Sequence, residues 1–198
     1  GQDRGEAKGN DMTRFTVSSN TMIKLFDCLV VNMLLNGSVR EVNGFAYGVD
    51  PFGYAYNTSR AIPAYNEDGS FYFHEKEGEN SPVIAGKRIY NYNILNEKKN
   101  TGSESRTRNW GATLDLKWNI LPCLEYQGVF AYSSSSSDSK QYATEQSFYI
   151  TQHRGYEYDY FAPSANEISW SPLPRGGILS TGLTNVQTIM ARNSLVYH

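Results

Sequence analysis

The sequence is short of the residues from which most active sites are built. Its 198 residues include two Cys and three His. Cys28 and Cys123 are too few for a disulfide scaffold or a four-ligand zinc site. We read them as unpaired small residues on strands or turns, with a bridge between them left open by their spacing. His74, His153 and His198 have neither an i,i+4 partner nor metal-ligand spacing to Cys or acids, so each reads as a loop or lumen residue without chemistry. Charge of one sign is also lacking. Eighteen Lys plus Arg face 20 Asp plus Glu, a net charge of -2, and the pI is near 5.9. With no basic stripe, nucleic acid is excluded as a partner. No apolar run reaches the ~18 residues of a membrane helix; the nearest, Cys28 to Leu35, is broken by Asn32. A bilayer is not thereby excluded, because barrel strands need only about 10 alternating residues. The hydrophobic fraction is 39%, below the roughly 45–50% usual for globular chains. A thick two-layered core is hard to build from it. The chain also shows no secretory signal and opens on Gly, which leads us to expect a piece of a longer protein.

What is present is alternation. Trp110, Ala112, Leu114, Leu116, Trp118 and Ile120 share one parity, and Thr113, Asp115, Lys117 and Asn119 the other. That period of two predicts a strand over 109–120 with one apolar and one polar face. After the tight connection at Pro122, Leu124, Tyr126, Phe130 and Tyr132 alternate against Glu125, Gln127 and Ser133, which makes 124–133 the second arm of a hairpin. Weaker alternation predicts strands near 12–19 (Phe15, Val17), 28–40 (Leu29, Val31, Met33, Leu35, Val39) and 187–198 (Ile189, Ala191, Leu195, Tyr197). Asn193 falls on the apolar side of the last. The expected class is all-β, an antiparallel meander of about five strands. Between them lie long polar stretches, 41–104 and 134–185, where loops of such length are usually functional. Short turns alternating with long loops is the layout of an outer-membrane barrel. Within the loops, Glu67-Asp68-Gly69 carries hairpin-turn chemistry, Ser133 to Ser137 reads as a flexible or turn-forming run, and a short helix is expected within 140–151.

Catalytic constellations find little support. Glu67/Asp68 and Glu75/Glu77/Glu79 are neighbours in sequence, whereas paired catalytic carboxylates need a set separation across a cleft. Gly44 to Gly53 lacks a phosphate-binding fingerprint. We therefore expect no enzyme and no cofactor. Aromatics are the more specific signal. Tyr47, Tyr54, Tyr56, Tyr65, Tyr156, Tyr158 and Trp170, with Arg60 beside them, are our candidates for contact with a substrate or partner, since such rings combine apolar faces with polar tips. Packing of the loops against one another would use the same residues. Trp110, Trp118 and Tyr132 stand near the expected strand ends, where amphipathic rings suit the headgroup level of a bilayer.

Several segments are also familiar. Leu114-Asp-Leu-Lys-Trp-Asn-Ile120, Phe130-Ala-Tyr132 with the Ser run, Tyr142-Ala-Thr-Glu-Gln-Ser-Phe-Tyr149, Arg154-Gly-Tyr-Glu-Tyr158, Ser171-Pro-Leu-Pro-Arg-Gly-Gly177 and Arg192-Asn-Ser-Leu-Val-Tyr197 resemble the barrel region of the SusC/RagA family. Gly44-Phe-Ala-Tyr-Gly-Val-Asp-Pro-Phe52, Thr58 to Gly69 and Tyr92 to Glu97 resemble the same family in the same order. The resemblance implies a TonB-dependent outer-membrane importer of Bacteroidetes-type bacteria, with a barrel of 22 strands, an internal plug and a SusD-like surface lipoprotein as partner. It further implies a glycan or peptide substrate and outer-membrane lipid around the wall. In that frame the chain is a partial barrel domain over 1–198, its two long loops extracellular, with plug and TonB box absent, so that alone it would neither gate nor transport. A soluble, secreted β-rich carbohydrate-binding module is the alternative from another class. A glycoside hydrolase is a distant third for want of a separated carboxylate pair.

Overall fold

The computed structural model describes residues 1–5, 8–78, 88–159 and 164–197. In chain order the elements are β1 (Gln2–Arg4), β2 (Asp11–Phe26), β3 (Leu29–Gly44), α1 (Pro51–Asn57), β4 (His74–Glu77), β5 (Ile89–Tyr92), α2 (Ile94–Asn100), β6 (Thr101–Leu121), β7 (Leu124–Ala143), α3 (Phe148–Arg154), α4 (Ala165–Trp170) and β8 (Ile178–Tyr197). The chain is mostly antiparallel sheet, as expected. One sheet runs β1-β2-β3-β6-β7-β8, and a second pairs β4 with β5.

The long strands outrun their expected bounds. β2 continues through the expected connection at 20–27 as far as Phe26, and the turn lies at Asp27-Cys28. β3 reaches Gly44, β6 begins at Thr101, β7 reaches Ala143 and β8 begins at Ile178, so the connections shrink to 45–100 and 144–177. The Ser run is not a turn: Ser133 to Ser137 sit inside β7, paired with Gly111 to Thr107 on one side and Thr188 to Thr184 on the other. Alternation of apolar residues ends in these stretches, but the backbone ladder does not. A strand flanked on both sides satisfies its N–H and C=O groups whatever its side chains. The short helix is α3, beginning at Phe148, because Lys140 to Ala143 are still in β7. The expected turn at Glu67-Asp68-Gly69 is present: Asn66 N–H donates to Ser70 O at 2.8 Å, and Gly69 takes a φ of +82°. Both cysteines are free, one in each short turn.

Register decides which side chains share a face. Leu29, Trp118, Tyr126 and Leu195 form one cross-strand row, and Gly37, Trp110, Ser134 and Gln187 another, eight residues along β3. Between these rows the same face presents Val31, Met33, Leu35, Ala112, Leu114, Leu116, Gly128, Phe130, Tyr132, Ile189, Ala191 and Asn193, with Val17, Ser19, Thr21 and Ile23 of β2 beside them. Asn193 joins Ser19 and Thr21 as a polar side chain here, and the Tyr126 hydroxyl donates to its Oδ1 at 2.5 Å. None of these side chains is an acid, Lys, Arg or His. The other face at the same height carries Lys24, Asp115, Lys117 and Arg192.

Gly37 lets Trp110 lie across the apolar face: a Cβ there would stand 2.5 Å from Cζ3 of the indole. The expectation that Trp110 and Tyr132 mark strand ends is corrected, since both lie mid-strand. Trp110 and Trp118 instead mark the two ends of the uncharged band.

The buried apolar side chains are not under the sheet. Ala46, Val49, Tyr90, Tyr92, Ile94, Ala143, Phe148 and Ile150 gather at the end of the sheet where β3, β6, β7 and β8 begin or stop. Many large apolar side chains of the band stay exposed, from Met33 at 37% to Ile189 at 82%, while Val31, Leu114 and Leu116 are half-buried.

Candidate functional site

Two features compete for function: the uncharged band of the sheet and the cap built by the connections. The cap is assembled around α2. Asn93 is its N-cap, with Oδ1 accepting from the Leu95 and Asn96 N–H groups. Its Nδ2 donates to Ala64 O at 3.0 Å and Tyr72 O at 2.7 Å, so one buried amide joins three segments. Asn96 Nδ2 donates to Gln146 O and Thr144 Oγ1 to Asn100 Oδ1, which ties α2 to the connection after β7. Glu97 is buried, and its Oε1 accepts the Phe148 N–H at 2.8 Å. Burial pushes its carboxyl pKa up, opposed by that bond, by the Asn96 amide and by the Lys76 charge.

On this frame sits an open cleft of about 430 Å³, lined by Asp50, Tyr54, Asn57, His74, Lys76 and Tyr92 among others. β4 and β5 bring its central groups together, since His74 lies directly opposite Tyr92. The Tyr54, His74 and Tyr92 rings stand 5.6–5.9 Å apart. The Lys76 ammonium lies 3.9 Å from the Tyr92 ring centroid, a cation–π contact. Desolvation draws the pKa of His74 down, as does the Lys76 charge, and desolvation lowers Lys76 as well. Asp50 caps α1 through Phe52 N–H and Gly53 N–H. The cleft offers flat rings, one cation, one carboxylate and amide groups, which suits a polyhydroxylated or peptide-like surface and supplies no nucleophile with a positioned base.

The sequence candidates scatter over the cap. Tyr54 lines the cleft. Tyr47 does not: it takes a φ of +53° and stacks on Tyr149 at 4.2 Å, next to His153. Tyr65 packs on Phe71. The Tyr156 hydroxyl donates to Pro174 O, and the Tyr156 and Tyr158 rings flank the buried Arg154 guanidinium. Tyr56, at 90% exposure, Arg60 and Trp170 project outward without joining the cleft. Glu79, Tyr160, Phe161 and His198 lie outside the described residues. His74, expected to be a loop or lumen residue without chemistry, lies in the lining of the cleft. Lys76, absent from the candidates, is placed there by the β4–β5 pairing, which sets it opposite Tyr90 and two residues from His74. Among the described residues no three His, Cys, Asp or Glu side chains converge as a metal site. No family model matches the chain, and no curated protein matches it.

The sheet is the second feature. No helix among the described residues is long and apolar enough to cross a membrane. The band is a different matter. Leu29 to Gly37 spans about 27 Å of strand at ~3.4 Å per residue, or about 21 Å of height at a ~40° tilt, close to the ~25 Å apolar belt of a membrane barrel. Ten large apolar side chains of the band are exposed and lie side by side, and a contiguous exposed apolar surface of that kind marks an interaction or membrane face.

Proposed function

We propose that this chain is wall and outer-rim structure of a TonB-dependent outer-membrane importer of the SusC/RagA kind. The observation that carries the reading is the one-sided uncharged band. Its apolar face would meet lipid, and the opposite face, with Lys24, Asp115, Lys117 and Arg192, would line a polar lumen. The sheet's edges fit the same reading. Among the described residues β8 pairs only with β7, and β2 beyond Arg14 only with β3. Two open edges of this length favour further strands, as closure of a 22-stranded barrel requires. The cap would lie outside the cell and contribute its cleft to capture of a glycan or peptide, or to docking of a SusD-like lipoprotein. Coupling to TonB would run through a plug beyond this stretch.

The runner-up, a soluble carbohydrate-binding module, draws on the same cleft, where Tyr54, His74 and Tyr92 could stack on sugar rings. It leaves the band without a partner. The two readings separate in a vesicle experiment. The importer reading expects the chain, diluted from denaturant, to fold only with lipid present and to have β2, β3, β6, β7 and β8 protected from protease. A cooperatively folded, lipid-indifferent monomer in buffer would overturn it. Reading the coding sequence on both sides for a plug and several hundred further strand residues is the independent check.

A further inference from the structure

Directly above the uncharged band, on the same face, the sheet changes character within two residues. The row after Gly37–Trp110 holds Val39 and Arg108; the next holds Glu41, Arg106 and Asp138; the next Asn43, Glu104 and Lys140. Three cross-strand ion pairs knit these rows. Arg106 Nε lies 2.9 Å from Glu41 Oε1, Arg108 Nη2 3.3 Å from Asp138 Oδ2, and Lys140 Nζ 3.8 Å from Glu104 Oε2. All six side chains are about half exposed, between 39% and 52%. A shallow groove of about 560 Å³ crosses the same rows.

Stability alone gives little reason for this pattern. Exposed ion pairs contribute about 0–1 kcal/mol each; β6 and β7 carry one more, Lys117 Nζ to Glu125 Oε2 at 3.0 Å, on the opposite face. What the three rows share is position: they begin where the band ends, beyond Trp110, and present alternating charge there. We propose that these rows bind the headgroup of a phosphate-bearing glycolipid in the outer leaflet. Arg106, Arg108 and Lys140 take its phosphates, and Glu41, Glu104 and Asp138 share the divalent cations that bridge neighbouring phosphates. The alternation of sign is the argument for this occupant. Simple anions would engage only the three basic groups, each already held by a carboxylate, whereas a lattice of phosphates and divalent cations presents both signs at close spacing and can engage both members of each pair. Guanidinium groups suit phosphate geometry, and carboxylates suit Mg²⁺ or Ca²⁺. Acyl chains of the same lipid would lie on Val39, Trp110 and the band below. The proposal rests on the membrane reading above.

The test uses the full chain in a W118F/W170F background, so that Trp110 reports from two residues below Arg108. The chain is folded into phosphatidylcholine vesicles containing headgroup-labelled lipopolysaccharide, with Mg²⁺ or with chelator. Protease protection reads insertion and energy transfer from Trp110 reads lipid enrichment. We expect enrichment over random mixing, a fall on chelation, and a loss of about fivefold per basic group removed in R106Q/R108Q/K140Q. The K117Q/R192Q variant, which removes charge from the opposite face, keeps the enrichment. Insertion with random lipid mixing, or enrichment that survives the triple substitution, overturns the headgroup assignment while leaving the membrane reading intact. Failure to insert in any vesicle overturns both.

Discussion

Placing a charge at mid-band tests the membrane reading most directly. Leu114 lies four residues from Trp110 and four from Trp118, in the row of Met33, Phe130 and Ala191. At a ~3.4 Å rise and ~40° tilt, that puts it about 10 Å from either end of the band. Leu114→Arg should then cost about 2–4 kcal/mol in vesicles, with Ala112→Arg and Leu116→Arg intermediate and costs falling to about 0–1 kcal/mol at the band's ends. At the midpoint of that range the folded-to-unfolded ratio changes by about 150-fold. Thr113→Arg points to the other face, beside Asp115, and at this half-buried polar position should cost no more than about 1 kcal/mol. The assay is urea titration of the vesicle-folded chain, read by tryptophan emission and by mobility on cold gel electrophoresis. Long Arg side chains can reach toward the interface, which flattens the profile but leaves its maximum at Leu114. Equal costs at Leu114 and Thr113, or a profile flat from Ala112 to Leu116, would refute the assignment of this face to lipid.

Three further outcomes follow from side chains of the sheet and cap. Gly37→Ala puts a Cβ against the Trp110 indole and should cost about 1–3 kcal/mol with a shift in Trp110 emission, while Gly44→Ala, with nothing within 4 Å of its Cβ, should be near neutral; identical behaviour of the two would show that Trp110 is not seated on Gly37. Asn93→Ala removes the α2 cap and orphans the links to Ala64 O and Tyr72 O, a loss of about 2–3 kcal/mol that should appear as faster amide exchange across α2. Glu97 has a folded-state pKa raised above its unfolded value by burial, so its contribution is fully present below the unfolded pKa and declines as pH rises through the folded one. Cap stability followed from about pH 4.5 upward should therefore fall in the wild type and lose that slope in Glu97→Gln; a slope unchanged by the substitution would mean that another group titrates.

How much was legible in advance varies by region. In the sheet, the alternation at Trp110 to Trp118 and at Leu124 to Tyr132 identified both the strands and their faces, because one residue of slip would have moved every apolar side chain to the polar side. Strand length was not legible. Ser133 to Ser139 and Arg106 to Asn109 carry no apolar alternation, and they extend because neighbouring strands complete their hydrogen bonds. The cap was least legible. Its aromatic content singled out Tyr54, which lines the cleft, together with Tyr47, Tyr65 and Tyr156, which also make contacts within the cap. Lys76, Glu97 and Asn93 carry no local signal, because their roles depend on partners 16 to 51 residues distant, Tyr92, Phe148 and Tyr72.

What the amino-acid order determined by itself was a one-sided sheet: period-two patterning assigns each residue a face locally, so no knowledge of partners was needed to separate the apolar side from the polar one. Which rows stand side by side was decided only in three dimensions. Register placed Arg106, Arg108 and Lys140 in a belt above Trp110, and chain closure at the end of the sheet gathered Tyr54, His74, Lys76 and Tyr92 into one cleft. Those contacts join residues far apart in the chain, and their geometry comes from strand pairing and a shared buried core rather than from any local pattern.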